Sequence, residues 1–209
     1  MLFMSEIFDI HYKEYDAWYD RNSFAYLSEL AAVKKVLPRH KKGLEIGVGT
    51  GRFASCLGIS KGIDPSAAML KLARARGVDV RVGQGEKLPF RGNTFDYVAI
   101  IITLCFVRDP AKVLEESARV LKKDGKIILG IVDKESFLGK FYQKKKSAFY
   151  GKARFFRVGE VTELLKEAGF GSFSYYQTLS VLPDEMSAVE KPAKGFGKGG
   201  FVVVAAKKA

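Results

Sequence analysis

Two hydrophobic rhythms divide this chain near residue 40. Before that point, apolar side chains recur every three or four positions, at Phe8, Tyr12, Tyr15 and Tyr19 and again at Tyr26, Leu30, Val33 and Leu37. This spacing predicts two amphipathic helices, the second of which ends at Pro38. Beyond residue 40, short apolar runs alternate with helical patterns, which predicts strands and helices in turn.

The alternating part predicts a mostly parallel sheet. We expect strands at 43–48, 61–65, 78–83, 95–107 and 126–133, and helices at 51–58, 66–77 and 109–125. A helix between two consecutive strands forms a right-handed crossover, which makes the two strands parallel. The nearly continuous apolar run at 95–107 is typical of a strand that is covered on both faces.

The pattern loosens after residue 133. Residues 134–157 mix aromatic side chains with lysines, and Phe137, Phe141 and Ala148 recur at steps of four and seven. This spacing predicts a helix that docks on the mouth of a site as a lid. A further helix is expected at 158–170. The last two strands, 172–182 and 200–208, have no helix between them and should pair antiparallel.

Chain length and composition suit one α/β domain over residues 1–209, with a helical cap at 1–38 and an insertion at 134–157. The chain is 47% hydrophobic and 28% charged, which is typical of globular proteins. Glu6 and Asp9 interrupt the N-terminal apolar run, so we expect no signal peptide. No apolar stretch has the length of a membrane span. These features predict a cytoplasmic protein.

The net charge is +12, which suits an anionic partner such as nucleic acid or a phosphorylated metabolite. A lysine-rich solubilising surface explains the same charge and is the favoured interpretation. The only potential thiol and imidazole ligands, Cys56, Cys105, His11 and His40, have no metal-site spacing. We therefore expect no metal.

The segment LEIGVGTGRFA contains glycine at every second position: Gly47, Gly49 and Gly51. A glycine turn after a parallel strand lets a ligand approach the backbone, and the helix that follows offers free N–H groups. A dinucleotide-binding loop would place its third glycine at position 52, where this chain has Arg52. This difference argues against NAD, and no phosphate-binding G-x-x-x-x-G-K-[ST] motif is present.

Asp64 ends the next predicted strand, 17 residues after Gly47. A carboxylate at this position can accept hydrogen bonds from two adjacent ribose hydroxyls. Alternatively, Asp64 caps the helix that begins near Pro65 and Ser66. The neighbouring glycines favour the ribose role.

Several segments together resemble a known family. LEIGVGTGRFA, GIDPSAAML, GQGEKLPFRGNTFDYV and DPAKVLEESARVLKKDGKIILG occur in the order and spacing of class I S-adenosylmethionine-dependent methyltransferases. They are most similar to the type 11 branch, which includes ubiquinone and menaquinone biosynthesis enzymes. The front segment IFDIHYKEYDAWY also resembles the start of that branch. The resemblance implies a Rossmann-like three-layer sandwich. Its seven-stranded sheet would have the order 3-2-1-4-5-7-6, with the last strand antiparallel.

The resemblance also implies a set of cofactor-binding residues. Glu45, Gly47, Gly49 and Gly51 would surround the methionine part of S-adenosylmethionine, and Asp64 would bind its ribose. Gln84 stands where the family has an aspartate that accepts from the adenine amino group, and Gly85 would offer its N–H. Met69 would pack beside the adenine or simply fill the core. Thr103 and Leu104 would line the cofactor through their backbone, and Tyr15 would face it from the front helix.

No general base is evident from the sequence. The family's two histidines at the end of the fourth strand are replaced by Cys105 and Phe106. His11 and Tyr15, on the front segment that caps the cofactor in the family, remain candidates for catalysis. The ring of Tyr15 could also stabilise the sulfonium. The aromatic stripe could instead serve only to attach the helix to the domain.

The expected activity is methyl transfer by in-line displacement to a small acceptor, which leaves S-adenosylhomocysteine. The aromatic residues of 134–157 favour a partly apolar or aromatic acceptor, and Lys144, Lys145 and Lys146 could attract an anionic one. Two alternatives remain open: an RNA methyltransferase, and a non-catalytic protein that binds S-adenosylmethionine for regulation. An NAD-dependent oxidoreductase is disfavoured by Arg52.

Overall fold

The computed structural model describes residues 4–209, in which helices and strands alternate. The α-helices in this range are Met4–Arg21 (α1), Ser23–Lys34 (α2), Arg52–Leu57 (α3), Ala67–Ala75 (α4), Pro110–Val120 (α5), Phe137–Lys144 (α6) and Val158–Glu167 (α7). The strands are Gly43–Ile46 (β1), Lys61–Asp64 (β2), Asp79–Val82 (β3), Phe95–Ile101 (β4), Leu121–Val132 (β5), Phe170–Thr178 (β6), Ala193–Lys194 (β7) and Phe201–Lys208 (β8).

All the described strands join one sheet in the order β3-β2-β1-β4-β5-β8-β6-β7. The first five strands are parallel, while β8 lies antiparallel between β5 and β6. The predicted mostly parallel sheet with an antiparallel last strand is therefore confirmed. The structure adds an eighth strand, because β7 places two residues against the edge of β6.

Two strands differ in length from the sequence prediction. β4 stops at Ile101 rather than 107, since Ile102 adopts a left-handed backbone conformation with φ of +50°. β5 already starts at Leu121, which pairs with Phe95 before the exposed segment 122–124 bulges away and pairing resumes at Lys126. The early end of β4 turns residues 102–107 across the carboxyl edge of the sheet.

The two faces of the sheet have separate apolar layers. One layer joins the sheet to α1, α2, α3 and α6 through side chains such as Tyr19, Tyr26 and Leu138. The opposite layer packs α5 and α7 on the sheet through Leu114 and Leu165. No helix within residues 4–209 is both long and apolar enough to cross a membrane.

Helix α6 lies where the predicted lid helix was placed, but it turns a different face to the protein. Leu138 and Tyr142 are buried, whereas Phe137 and Phe141 are 37% and 40% exposed. Ala148 is exposed beyond the end of the helix. The predicted docking face was therefore wrong, because the true stripe is shifted by one residue from the one that the phenylalanines suggested.

Candidate active site

The glycine turn after β1 has the conformation that its residues predict. Gly47, Gly49 and Gly51 all have positive φ, at +70°, +52° and +81°. Gly49 lines a cavity, and a Cβ added there would lie in van der Waals contact with Met69 and Tyr15, at 3.5 Å from Sδ and 4.0 Å from Cε1. The missing side chain therefore leaves bare backbone facing that space.

The other two glycines of the turn allow close packing inside the protein. A Cβ at Gly47 would clash with the side chain of Thr103, and one at Gly51 would come within 2.9 Å of Ala73. The Thr103 hydroxyl lies 3.2 Å from the carbonyl oxygen of Gly47 and donates to it. Gly51 therefore supports the turn from below and does not face the open side.

Asp64, at the end of β2, links the glycine turn to the following loop. Its carboxylate accepts one hydrogen bond from Gly49 N–H and one from Ser66 N–H, each 2.9 Å long. Burial raises the pKa of this carboxyl to about 6. The N-cap of α4 is Ser66, whose hydroxyl accepts from Met69 N–H. Asp64 is therefore not the helix cap, and its two oxygens retain lone pairs for further donors.

Glu45 lies beneath the same turn and is 1% exposed. Burial and the neighbouring Asp64 carboxylate raise its pKa well above the ordinary range, and an N–H bond from Ala54 only partly opposes this. One of its oxygens, Oε2, has no hydrogen-bond partner within the described residues. Glu45 does not reach the open side of the turn.

The loop after β3 forms a second wall. Gln84 is exposed at its tip, whereas Gly85 is buried so closely against Ile46 that a Cβ would approach its Cγ2 to 2.8 Å. The carboxylate of Glu86 accepts from the N–H groups of Arg108 and Asp109, at 3.0 and 3.3 Å. Our sequence analysis did not select Glu86, although its position directly after Gln84 and Gly85 was a usable signal.

These walls enclose a cavity of about 800 Å³, here called the glycine-loop cavity. It contains most of the residues predicted to bind cofactor: Tyr15, Gly47, Gly49, Asp64, Met69, Gln84, Gly85 and Thr103. Glu45 and Gly51 lie outside its lining. Leu104 lines a different cavity, because the chain turns away from the sheet after Ile101.

That second cavity, here called the aromatic cavity, has a volume of about 100 Å³. Rings from α1, from the turn after β4, from α6 and from the segment after α6 surround most of it: Tyr15, Trp18, Tyr19, Phe106, Tyr142, Phe149, Tyr150, Phe155 and Phe156. No lysine, arginine or histidine is among its lining residues. The two cavities share Tyr15, Ile102, Thr103 and Phe106, so they meet at the carboxyl end of β4.

One carboxylate lines the aromatic cavity. Glu29, on α2, is 2% exposed, and its Oε2 has no hydrogen-bond partner in the part of the chain that the structure describes. Burial raises the pKa of this carboxyl to about 8. Sequence analysis missed Glu29, yet it lies three residues after Tyr26 and four before Val33, on the stripe predicted to be buried. An acidic residue on an inward helical stripe was the available signal.

The remaining candidates lie around these cavities. Tyr15 lines both cavities and pairs its hydroxyl with that of Tyr19 at 2.9 Å. Burial raises the pKa of Tyr15 well above its usual value, so its hydroxyl stays protonated. His11 lines neither cavity and faces Glu14 at 3.3 Å. Cys105 lines the aromatic cavity, where burial raises its thiol pKa to about 12.

Helix α1 is fixed over the glycine turn by charge. Arg52, the residue that replaces a third dinucleotide-type glycine, donates to both carboxylate oxygens of Asp16 at 2.9 Å. It also donates to Asp20 at 2.6 and 2.7 Å. Although burial acts in the opposite direction, Arg52 and Arg76 hold the pKa of Asp16 well below its usual range. Asp9 adds a contact with the Ser66 hydroxyl at 2.6 Å.

Comparison with known proteins gives a consistent result. Residues 44–129 match a family model described as a methyltransferase domain. Over 204 residues, the chain is 47% identical to an uncharacterized protein of Methanocaldococcus jannaschii, covering 97% of this chain and 98% of that protein. Over 131 residues it is 33% identical to a demethylmenaquinone methyltransferase of Bacillus licheniformis, covering 57% of this chain and 53% of that enzyme.

A solved structure decides the assignment. The crystal structure described as a SAM-dependent methyltransferase, possible histamine N-methyltransferase, from Thermotoga maritima superposes with a TM-score of 0.96. The two sequences are 48% identical, with 99% of this chain and 100% of that chain covered. This chain belongs to the S-adenosylmethionine-dependent methyltransferases. The methyltransferase therefore transfers a methyl group from S-adenosylmethionine to an acceptor substrate.

The glycine-loop cavity of this methyltransferase fits its cofactor. Its volume of about 800 Å³ lies in the range of about 300–1,000 Å³ that is usual for small-molecule sites. It combines the bare backbone at Gly49 with the Asp64 carboxylate, which has lone pairs to spare. A nucleoside joined to an amino acid needs both features, since it presents hydroxyls as well as a long, narrow chain.

Proposed function

We propose that this methyltransferase methylates a small molecule built around a single ring, bound in the aromatic cavity. The observation that supports this most directly is the junction of the two cavities at Tyr15, Ile102, Thr103 and Phe106. An apolar cavity of about 150 Å³ can hold benzene, so a cavity of about 100 Å³ admits at most one ring. The atom that accepts the methyl group would face the glycine-loop cavity.

In this proposal, S-adenosylmethionine lies in the glycine-loop cavity. Asp64 accepts from the ribose hydroxyls, and the bare backbone of Gly47 and Gly49 faces the methionine part. Gln84 and the N–H of Gly85 receive the adenine, with Met69 beside it. Glu45 and Gly51 hold the turn from below. Thr103 fixes Gly47 at the boundary between the cavities, and Leu104 lies on the acceptor side.

When bound, S-adenosylmethionine supplies a methyl group on a positively charged sulfur, which is open to in-line displacement by a nucleophile. The chain's task is to orient the acceptor, and orientation can contribute about 7–11 kcal/mol in favourable cases. The aromatic walls exclude water, which suits a reaction that removes charge. Because the Tyr15 hydroxyl stays protonated, Tyr15 lines the site and does not act as a general base. The electron-rich face of its ring can stabilise the positively charged sulfonium.

The N-terminal cap and the 134–157 insertion are the segments that would bind the acceptor. Trp18 and Tyr19 of the 1–38 segment face the aromatic cavity from one side. Tyr142 and Tyr150 of the 134–157 segment close it from the other side and stack at 4.2 Å between ring centroids. We infer that these two segments select the acceptor. The cytoplasmic location stays a prediction.

An RNA acceptor is the weaker alternative. The aromatic cavity has no basic side chain in its lining, and Lys144, Lys145 and Lys146 are exposed beyond it. A lysine-rich surface can attract RNA without bringing a nucleobase close to the methyl group of S-adenosylmethionine. A non-catalytic role is also disfavoured, because a second cavity beside the cofactor has no purpose in a protein that only binds S-adenosylmethionine.

Two measurements test the proposal. We expect S-adenosylmethionine and S-adenosylhomocysteine, but not NADH, to raise the unfolding temperature. We then expect a tritiated methyl group to pass from S-adenosylmethionine to members of a panel of single-ring metabolites. Transfer to RNA alone, or stabilisation by NADH alone, would contradict the proposal.

A further inference from the structure

Glu29 is a buried carboxylate whose ionised form has no cationic partner among residues 4–209. Its Oε2 is unpartnered, and no lysine, arginine or histidine lines the cavity that it faces. Isolating an ionised carboxylate from water is costly unless a positive group or hydrogen-bond donors compensate. A group from outside the chain can provide that compensation.

The polar residue beside Glu29 shows what a purely structural role looks like. Ser28, 0% exposed on the same helix, donates to the Phe24 carbonyl at 2.7 Å and accepts from Glu190 N–H at 2.8 Å. Its hydroxyl thereby fixes the chain around residue 190 to α2. Glu29 ties no comparable segment through Oε2, although it is buried to nearly the same degree.

The walls around Glu29 suit a positive charge joined to an apolar body. Besides burial, the negative charge of the Glu29 carboxylate contributes to raising the pKa of Tyr19, Tyr142 and Tyr150. Burial raises the pKa of these phenols, so they stay neutral and present their electron-rich faces. Aromatic faces attract ammonium groups, and a carboxylate among them fixes the position of the charge.

We propose that Glu29 binds the ammonium group of the acceptor, which makes small arylalkylamines the acceptor class of this methyltransferase. The inference rests on the proposed function, since it places the acceptor in the aromatic cavity. The single ring lies among the aromatic side chains, and the amine nitrogen reaches Oε2 of Glu29. Glu29 is thus a specificity-determining residue. A neutral alcohol of the same shape brings no positive charge to balance the ionised form of Glu29.

The test compares matched amines and alcohols on the cofactor-loaded protein. The probes are benzylamine, 2-phenylethylamine and 3-phenylpropylamine, each paired with the alcohol of equal chain length. Their affinities are measured by calorimetry at pH 7.5 on protein saturated with S-adenosylhomocysteine. We expect at least one amine to bind about tenfold or more tightly than its alcohol, as for a charge-assisted hydrogen bond. This arm needs no variant.

Variants then assign the preference to Glu29. We expect Glu29→Gln to lose the preference for amines while it still binds S-adenosylhomocysteine. Glu29→Asp, whose carboxylate is one methylene shorter, should shift the preference towards the longer amine. Glu14→Gln removes a carboxylate from the exposed face of the neighbouring helix α1 and should leave the preference intact.

Each contrary outcome has a distinct meaning. Equal binding of amines and alcohols, failure of every probe to bind, or a preference that persists in Glu29→Gln would overturn the inference alone. A wild-type protein that does not bind S-adenosylhomocysteine would overturn the proposed function itself.

Discussion

Two buried carboxylates, Glu29 and Glu45, and the half-buried Asp64 share one electrostatic condition: removal from water raises the pKa of each. Their partners distinguish them. Asp64 accepts two backbone N–H bonds and keeps an open side, and Glu45 lies under the glycine turn. Glu29 faces an apolar cavity with a free oxygen. Similar shifts in pKa therefore accompany three different tasks.

Replacing Asp64 by asparagine tests its task directly. The amide offers one acceptor oxygen in place of two, so either Gly49 or Ser66 loses its bond; in the proposed function, the ribose also loses a charged acceptor. We expect Asp64→Asn to weaken S-adenosylhomocysteine binding at least about tenfold, since bonds to charged groups contribute about 1.5–3 kcal/mol. Calorimetry provides the measurement. Asp79→Asn, at the exposed start of β3, is the matched control. An unchanged affinity in Asp64→Asn would mean that the carboxylate only connects the glycine turn to the loop after β2 and does not bind the cofactor.

The pH dependence of stability tests the burial of Glu29. Its carboxyl pKa rises from 4.5 to about 8 on folding, so the folded protein binds the extra proton more tightly than the unfolded chain does. Stability contributed by this group is therefore complete below pH 4.5 and is lost as the pH rises towards 8. Each unit of pKa difference corresponds to about 1.4 kcal/mol.

Glu29→Gln removes this titration, so we expect its stability relative to the wild type to increase from pH 5 to pH 8 and then to level off. Urea unfolding of both proteins at pH 5, 6, 7 and 8 measures the difference, and the other titrating groups cancel between them. A difference that is constant across this range would show that Glu29 is not buried as an isolated acid.

At the scale of elements, the glycine turn and strand ends were predictable, but the exact faces of some helices were not. Gly49 and Asp64 follow from local rules, because a ligand-facing turn needs positive φ and strand ends converge at one sheet edge. The inward face of α6 depends on tertiary packing, and Phe137 and Phe141 are exposed despite their hydrophobicity. Likewise, no local signal stops β4 at Ile101 inside an apolar run.

The attachment of α1 to α3 predicts how the cap behaves as an element. Arg52→Ala leaves Asp16 with Arg76 as its remaining cationic partner and Asp20 without its ion pair. We expect faster amide hydrogen exchange over residues 4–21, a loss of about 1–3 kcal/mol of stability and weaker S-adenosylhomocysteine binding. Exchange in β4 and β5 should change little. Arg21→Ala, which removes an exposed arginine from the end of the same helix, serves as the control. Equal exchange in both variants would show that apolar packing alone fixes the cap.

At the scale of the whole molecule, charge and cavity chemistry are separated. The chain carries a net charge of +12, yet no basic side chain is among those that line the aromatic cavity. Net charge governs association with polyanions over distances of about a Debye length, roughly 8 Å at physiological salt. In the proposed function, by contrast, the acceptor is selected by contacts inside a small apolar space. Attraction to RNA and choice of acceptor should therefore respond differently to salt.

Raising the salt concentration separates these two properties experimentally. We expect the affinity for a structureless oligoribonucleotide to fall steeply between 50 and 200 mM salt, because lysine–phosphate contacts release counterions. The KM for a small acceptor should change much less, since the groups proposed to bind it, Glu29 and the aromatic rings, line the aromatic cavity and not the charged surface. Filter binding and a tritium-transfer assay on the same samples provide both numbers. Methyl transfer into the oligoribonucleotide, with a rate that follows its occupancy across the salt series, would instead place the acceptor on RNA and turn the basic surface into part of the active site.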